Sequence, residues 1–141
     1  MTFTLNITTA EQRTAATREA LLADVAGIRW QRETGGITLQ DGSVVATDER
    51  STAKLTATVT SLQNGMVTAP INFKFPQGWQ PVSQAEIEAV AAAVAQHVQS
   101  CFDAELTVSG QIDALTDAEV LTFDVAAAFA AAMEMALETG T

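Results

Sequence analysis

Residues 83–106 constrain the fold of this chain more than any other stretch. Ser83 is followed three residues later by Glu86, the spacing at which a hydroxyl and a carboxylate satisfy each other's free amides at a helix start. Beyond that box the larger apolar residues fall at Ile87, Val90, Val94, Val98, Cys101 and Phe102, in steps of three and four that draw one stripe down a helix. Alanines at 89, 91, 92, 93 and 95 favour helix and let neighbouring elements approach closely. The pattern predicts a long central helix over 83–115. Its stripe is a packing face and by itself carries no chemistry.

The rest of the chain has to cover that stripe. At 141 residues, 48% of them hydrophobic, the chain is long enough and apolar enough to bury a core. A formal charge of −10 with only seven Lys and Arg argues against nucleic acid, whose phosphates need clustered cations, and against an anionic membrane surface. Apolar runs stay short of the roughly 18 residues of a membrane span. The N-terminus, Met1 to Ile7, lacks the basic flank and apolar stretch of a signal peptide. One cysteine rules out an internal disulfide framework. The default setting is a reducing cytoplasm.

Taken in order, residues 2–7 alternate Thr2, Thr4 and Asn6 against Phe3, Leu5 and Ile7, the period of a half-buried strand. Thr8 or Thr9 caps a helix from about Ala10 to Glu33. Its apolar side is thin until Leu21, Val25 and Ile28, which suggests an exposed arm or a helix lying on a partner. Gly35-Gly36 ends it, since glycine takes the left-handed position after a helix at no steric cost. Ile37 to Ala46 reads as a hairpin around Asp41-Gly42. Residues 48–64 fit a strand through Leu55, Ala57 and Val59, and fit a helix through Leu55, Val59 and Leu62. Ile71, Phe73 and Phe75 alternate with Asn72 and Lys74 as a strand closed by Pro76-Gln77-Gly78, with Trp79 and Pro81 leading into the central helix. Thr116 and Glu119 offer a second capping box, and Asp124 caps a last helix from Val125 to about Leu137. That helix is apolar on nearly every face, so it should be buried, and at a chain end the natural burial site is another subunit.

Two stretches carry more than generic pattern. Ile28-Arg29-Trp30-Gln31-Arg32-Glu33-Thr34-Gly35-Gly36-Ile37 and His97-Val98-Gln99-Ser100-Cys101-Phe102-Asp103-Ala104-Glu105 resemble a small domain of unassigned function. That domain is encoded in tailed-bacteriophage and prophage genomes, commonly beside tail-fibre genes. Gly42, Thr47-Asp48-Glu49-Arg50-Ser51 and the segment from Phe73-Lys74 to Gly78-Trp79 resemble its middle. The resemblance covers roughly residues 25–120 and implies a helix over 48–64. The loop at 63–70, the alanine-rich tail at 125–137 and the first 24 residues depart from it. It implies a phage tail-associated protein and supplies no catalytic residues.

Each candidate site has a plainer role beside it. His97 and Cys101 lie four apart on one helix and could face one metal, but zinc needs three or four protein ligands and the chain has no other His or Cys. Asp103 and Glu105 are the only nearby supplements. A Cys101 nucleophile based on His97 would need an oxyanion hole, and mid-helix amides are already bonded. Glu86, Glu88, Asp103, Glu105, Asp113, Asp117 and Glu119 offer carboxylates for a glycosidase pair, yet two Trp and no Tyr make a poor sugar platform, and a solvated acidic face is the plainer reading. Gly35-Gly36 and Asp41-Gly42 lack the Gly-Lys-Ser/Thr of a phosphate loop. Trp30, Phe73, Phe75 and Trp79 are read as core, and Arg29 and Arg32 as partners for carboxylates such as Glu33.

The expectation is an α+β fold: a small antiparallel sheet (2–7, 37–46, 70–75) covered by helices 10–33, 48–64 and 83–115 and by the terminal helix. It divides into an N-terminal arm at 1–24, a tail-associated domain at 25–120 and an alanine-rich helix at 121–141. No catalytic residue, metal or cofactor is expected. The expected partners are other phage tail or tail-fibre proteins and further copies of the chain, with Phe129, Met133, Met135 and Leu137 as contact residues. The expected role is a non-enzymatic tail component made in the host cytoplasm and placed in the virion tail. A fibre-assembly chaperone is the alternative, and a glycan-acting tail enzyme a third.

Overall fold

The computed structural model describes residues 9–139. Helix α1 (Ala10–Thr34) is followed by strands β1 (Ile37–Thr38) and β2 (Val44–Val45), then helix α2 (Glu49–Gln63). Strands β3 (Ile71–Phe75) and β4 (Gly78–Val82) precede helix α3 (Gln84–Ala114), a short helix α4 (Asp117–Val120) and helix α5 (Val125–Thr139). The strand expected at 2–7 lies outside the described residues.

Local chemistry explains most of the boundaries. Thr9 and Gln12 form a reciprocal capping box at the start of α1, and Thr116 and Glu119 form another at α4. At α3 the Ser83 hydroxyl accepts from the Glu86 amide at 3.1 Å. Asp48 caps α2 through the Ser51 amide, and Asp124 accepts from the Ala127 amide at the start of α5. After Gly35 caps α1, Gly36 takes the left-handed conformation at φ 88°. Residues 48–64 are helical, as the family resemblance implied, with Asp48 and Asn64 as the two caps.

The α+β class is as expected, but the strands do not gather into one sheet. They form two antiparallel hairpins, β1 with β2 in the register Ile37↔Val45, and β3 with β4 in the register Ile71↔Val82 through Phe75↔Gly78. The β3 partner is therefore the next segment in sequence, not the 37–46 hairpin. Residues 78–82 carry no strand alternation in the sequence, because Trp79, Gln80 and Pro81 are all exposed. Pro81 also lacks the amide that marks a strand residue.

The long helix α3, about 46 Å from its 31 residues, serves two cores. Its first half, through Ile87 and Val94, packs with Val45, Leu55, Leu62, Phe75 and Val82 from the hairpins and α2. Its second half, through Cys101, Ala104, Val108 and Ile112, packs with Leu21 and Val25 of α1, Val120, and Val125, Phe129, Ala132 and Met133 of α5. Stretches of chain separated at residues 24 and 120 thus meet in one cluster. Fully buried side chains such as Ile87 and Ile112 each contribute about 1.5–3 kcal/mol relative to exposure. One face of the apolar helix α5, through Val125, Phe129, Ala132 and Met133, packs against α3 and α1 of its own chain, and the other face is exposed.

Two aromatic assignments are corrected. Phe75 is buried and Phe73 half-buried, but Trp30 and Trp79 are 60% and 72% exposed. Trp79 extends from β4 under the Lys74 ammonium, 5.6 Å from its ring centroid, and Trp30 stands on α1 with most of its surface exposed. Hydrophobicity alone places them inside, but each stands at the surface and is largely exposed to solvent.

Candidate functional site

The two signature stretches become neighbours because α1 and α3 pack in opposite directions. Arg29 is their hub. Its Nε donates to Glu105 Oε2 at 3.1 Å and its terminal nitrogen donates to Glu33 one turn away. Its guanidinium lies 4.7 Å from the Phe102 ring centroid. The side chains of Arg29, Glu33 and Glu105 are 19%, 19% and 22% exposed, so water screens these pairs only in part. Burial alone disfavours the Arg29 charge; hydrogen bonds and charge from Glu33 and Glu105 outweigh it and raise the pKa above its ordinary value. Arg29 is a fixed cation already neutralised by two carboxylates.

One turn further along α1, the Arg32 carbonyl lies 2.9 Å from His97 Nε2. A carbonyl only accepts, so the geometry assigns the proton to Nε2. The Cys101 sulfur stands 3.9 Å from that same nitrogen, which therefore has no lone pair to take a thiol proton. Cys101 is 0% exposed, and burial pushes its thiol pKa up. The pair is a packed thiol beside a hydrogen-bonded imidazole, arranged against nucleophilic chemistry.

The end of α1 is tied to the first hairpin by Thr47. Its buried hydroxyl donates to the Glu33 carbonyl and accepts from the Gly36 amide at 2.8 Å. One side chain thus satisfies a free carbonyl of the last turn and the amide that follows it. Thr47 lies in the stretch that resembles the family's middle, but nothing local in the sequence marked its partners.

Beside this cluster runs a groove of about 570 Å³ between α1, α2 and α3. Leu55, Val94 and Val98 line it together with Trp30, Glu49 and Gln99. The cation facing it is the doubly paired Arg29. Among the described residues no group of three or more His, Cys, Asp or Glu could hold a metal ion. The carboxylates named above are dispersed: Glu88 accepts from Gln84, Asp103 from Gln99, Glu105 from Arg29, and Glu119 from the Thr116 amide. No described helix is long and apolar enough to cross a membrane.

Of the four proposed contact residues, Phe129 and Met133 lie inside the chain's own core, while Met135 and Leu137 are 63% and 53% exposed. The sequence offered no sign of Arg18. Its guanidinium reaches 94 residues along the chain to donate to the Ile112 carbonyl, and donates to the Leu115 carbonyl at 3.1 Å. These carbonyls end α3, whose last turn has no basic residue of its own. Arg18 supplies from another helix the cation that a helix C-terminus favours.

The model of a family described as Domain of unknown function (DUF4376) matches residues 16–136. The match is wider than the 25–120 resemblance at both ends and takes in most of α5. No curated protein and no solved structure matches the chain.

Proposed function

Because the chain belongs to the DUF4376 family of domains of unknown function, and because its signature stretches resemble phage tail-associated domains, we propose that it is a non-enzymatic bacteriophage tail protein. Its role in this reading is a structural adaptor at the tail tip or the tail-fibre attachment site. The observation that carries the reading is how the signature residues are used. Arg29, Glu33 and Glu105 neutralise one another, His97 is held by a backbone carbonyl, and Cys101 is sealed from solvent. Reactive residue types sit where a scaffold would place them.

Large apolar side chains on the outside support a role in assembly. Trp30, Met66, Trp79, Leu106 and Leu121 are all more than half exposed. Tryptophan and methionine are enriched at protein interfaces. Mass spectrometry of purified virions, quantified against the major tail protein, tests the reading. A small integral copy number is expected, a multiple of three or six. Absence from virions with abundance in infected-cell lysate would overturn the adaptor and favour an assembly chaperone.

A further inference from the structure

Helix α1 is anchored over only part of its length. From Leu21 onward it contributes Leu21 and Val25 to the second core, but Ala10 to Ala20 include no buried residue. The hydroxyls of Thr14 and Thr17 bond back to their own helix, to the carbonyls of Ala10 and Arg13. Among the described residues, Arg18 makes the side-chain hydrogen bonds that tie these first three turns to the remainder of the fold. It grips the Ile112 and Leu115 carbonyls and stands 3.8 Å from Asp117.

We propose that residues 10–20 form a hinged arm latched by Arg18 to the C-terminal end of α3, and that the arm undocks as a unit while both cores stay intact. The physical basis is an asymmetry between the two segments of α1. Opening the segment after Leu21 exposes apolar side chains to water, whereas opening the segment before it breaks mainly polar contacts that water can replace. The grip has direction as well as charge, since the guanidinium serves two carbonyls at once and a lysine ammonium lacks that fork. Asp117 is 76% exposed and contributes little to the grip.

The latch is tested with spin labels on cysteines introduced by Arg13→Cys and Ala118→Cys, both exposed positions, Cys101 being too buried to label. The full chain should give one narrow distance distribution. Arg18→Ala should broaden it, Arg18→Lys should give an intermediate result, and Asp117→Asn should leave it narrow. Hydrogen exchange on the unlabelled chain supplies the second reading: Arg18→Ala should speed exchange over 10–20 by at least tenfold and leave 98–108 unchanged. An unaltered distance distribution in Arg18→Ala overturns the latch. Equal acceleration over 10–20 and 98–108 overturns the separate arm, because it makes α1 one cooperative unit with the core.

Discussion

Arg29 Nε and Glu105 Oε2 meet at 3.1 Å, although 76 residues separate them in the chain. The contact joins the two signature stretches and fixes α1 against the middle of α3. With the Glu33 bond and the Phe102 face it completes a sheltered cluster around one guanidinium. Arg29→Met should therefore destabilise the fold by roughly 2 kcal/mol, in the range for lost charged hydrogen bonds. A double-mutant cycle with Glu105→Gln in urea should return a coupling of roughly 1 kcal/mol. Arg29→Lys should recover less than half of the loss, because the fork is gone. Additive single and double mutants would show that the contact does not hold the helices.

The seal over Cys101 has a chemical readout. A disulfide reagent should leave the thiol unmodified in the native protein and titrate one equivalent in denaturant, since the chain has one cysteine. Rapid native labelling would contradict the packing of α1 on α3. Cys101→Ser should cost about 1–3 kcal/mol by burying a hydroxyl among apolar neighbours.

Helix α5 separates core residues from surface ones over a few positions. Phe129→Ala should cost about 3–5 kcal/mol by opening a cavity between α1, α3 and α5. Leu137→Ala, on the exposed side, should stay within about 0.5 kcal/mol in monomer stability. Thermal melts followed by circular dichroism compare the two. Equal losses would place both side chains in the same environment.

Gly36 is constrained by its conformation. At φ +88° an added Cβ would also meet the Val45 carbonyl oxygen at 3.2 Å. Gly36→Ala should destabilise by about 1–2 kcal/mol, the cost of left-handed backbone in an L residue. Gly27→Ala is the control, as nothing lies within 4 Å of its Cβ position and the helix should gain. A neutral Gly36→Ala would mean that the α1–β1 junction adopts another shape.

Acid should loosen the helix starts. Hydrogen bonds from Ser51 hold the Asp48 carboxyl below its usual pKa, and bonds from Thr116 do the same for Glu119. A carboxyl depressed in the folded state contributes stability above its unfolded pKa and loses it as pH falls through the folded value. Melting temperature should therefore drop as pH is lowered through and below the ordinary carboxylate range. Asp48→Asn should flatten part of that slope. An identical pH dependence in the variant would show that the Asp48 charge does not matter to the cap.

What the sequence determined by itself is its local structure. Apolar spacing drew α3, capping residues marked the starts of α1, α3, α4 and α5, and the Asp41-Gly42 turn located the first hairpin. These signals involve residues within a few positions of one another, where helix and turn geometry leave few choices. For 48–64 the local signals were balanced between strand and helix, and the family resemblance decided correctly. Tertiary structure alone decided that Trp30 and Trp79 stay exposed, that β3 pairs with β4, and that one face of α5 packs into the core of its own chain. It also decided the partners of Arg18, Arg29 and Thr47. Each of these outcomes depends on which faces of distant elements meet, and that is set by the packing of the whole chain around α3, not by the neighbours of any one residue.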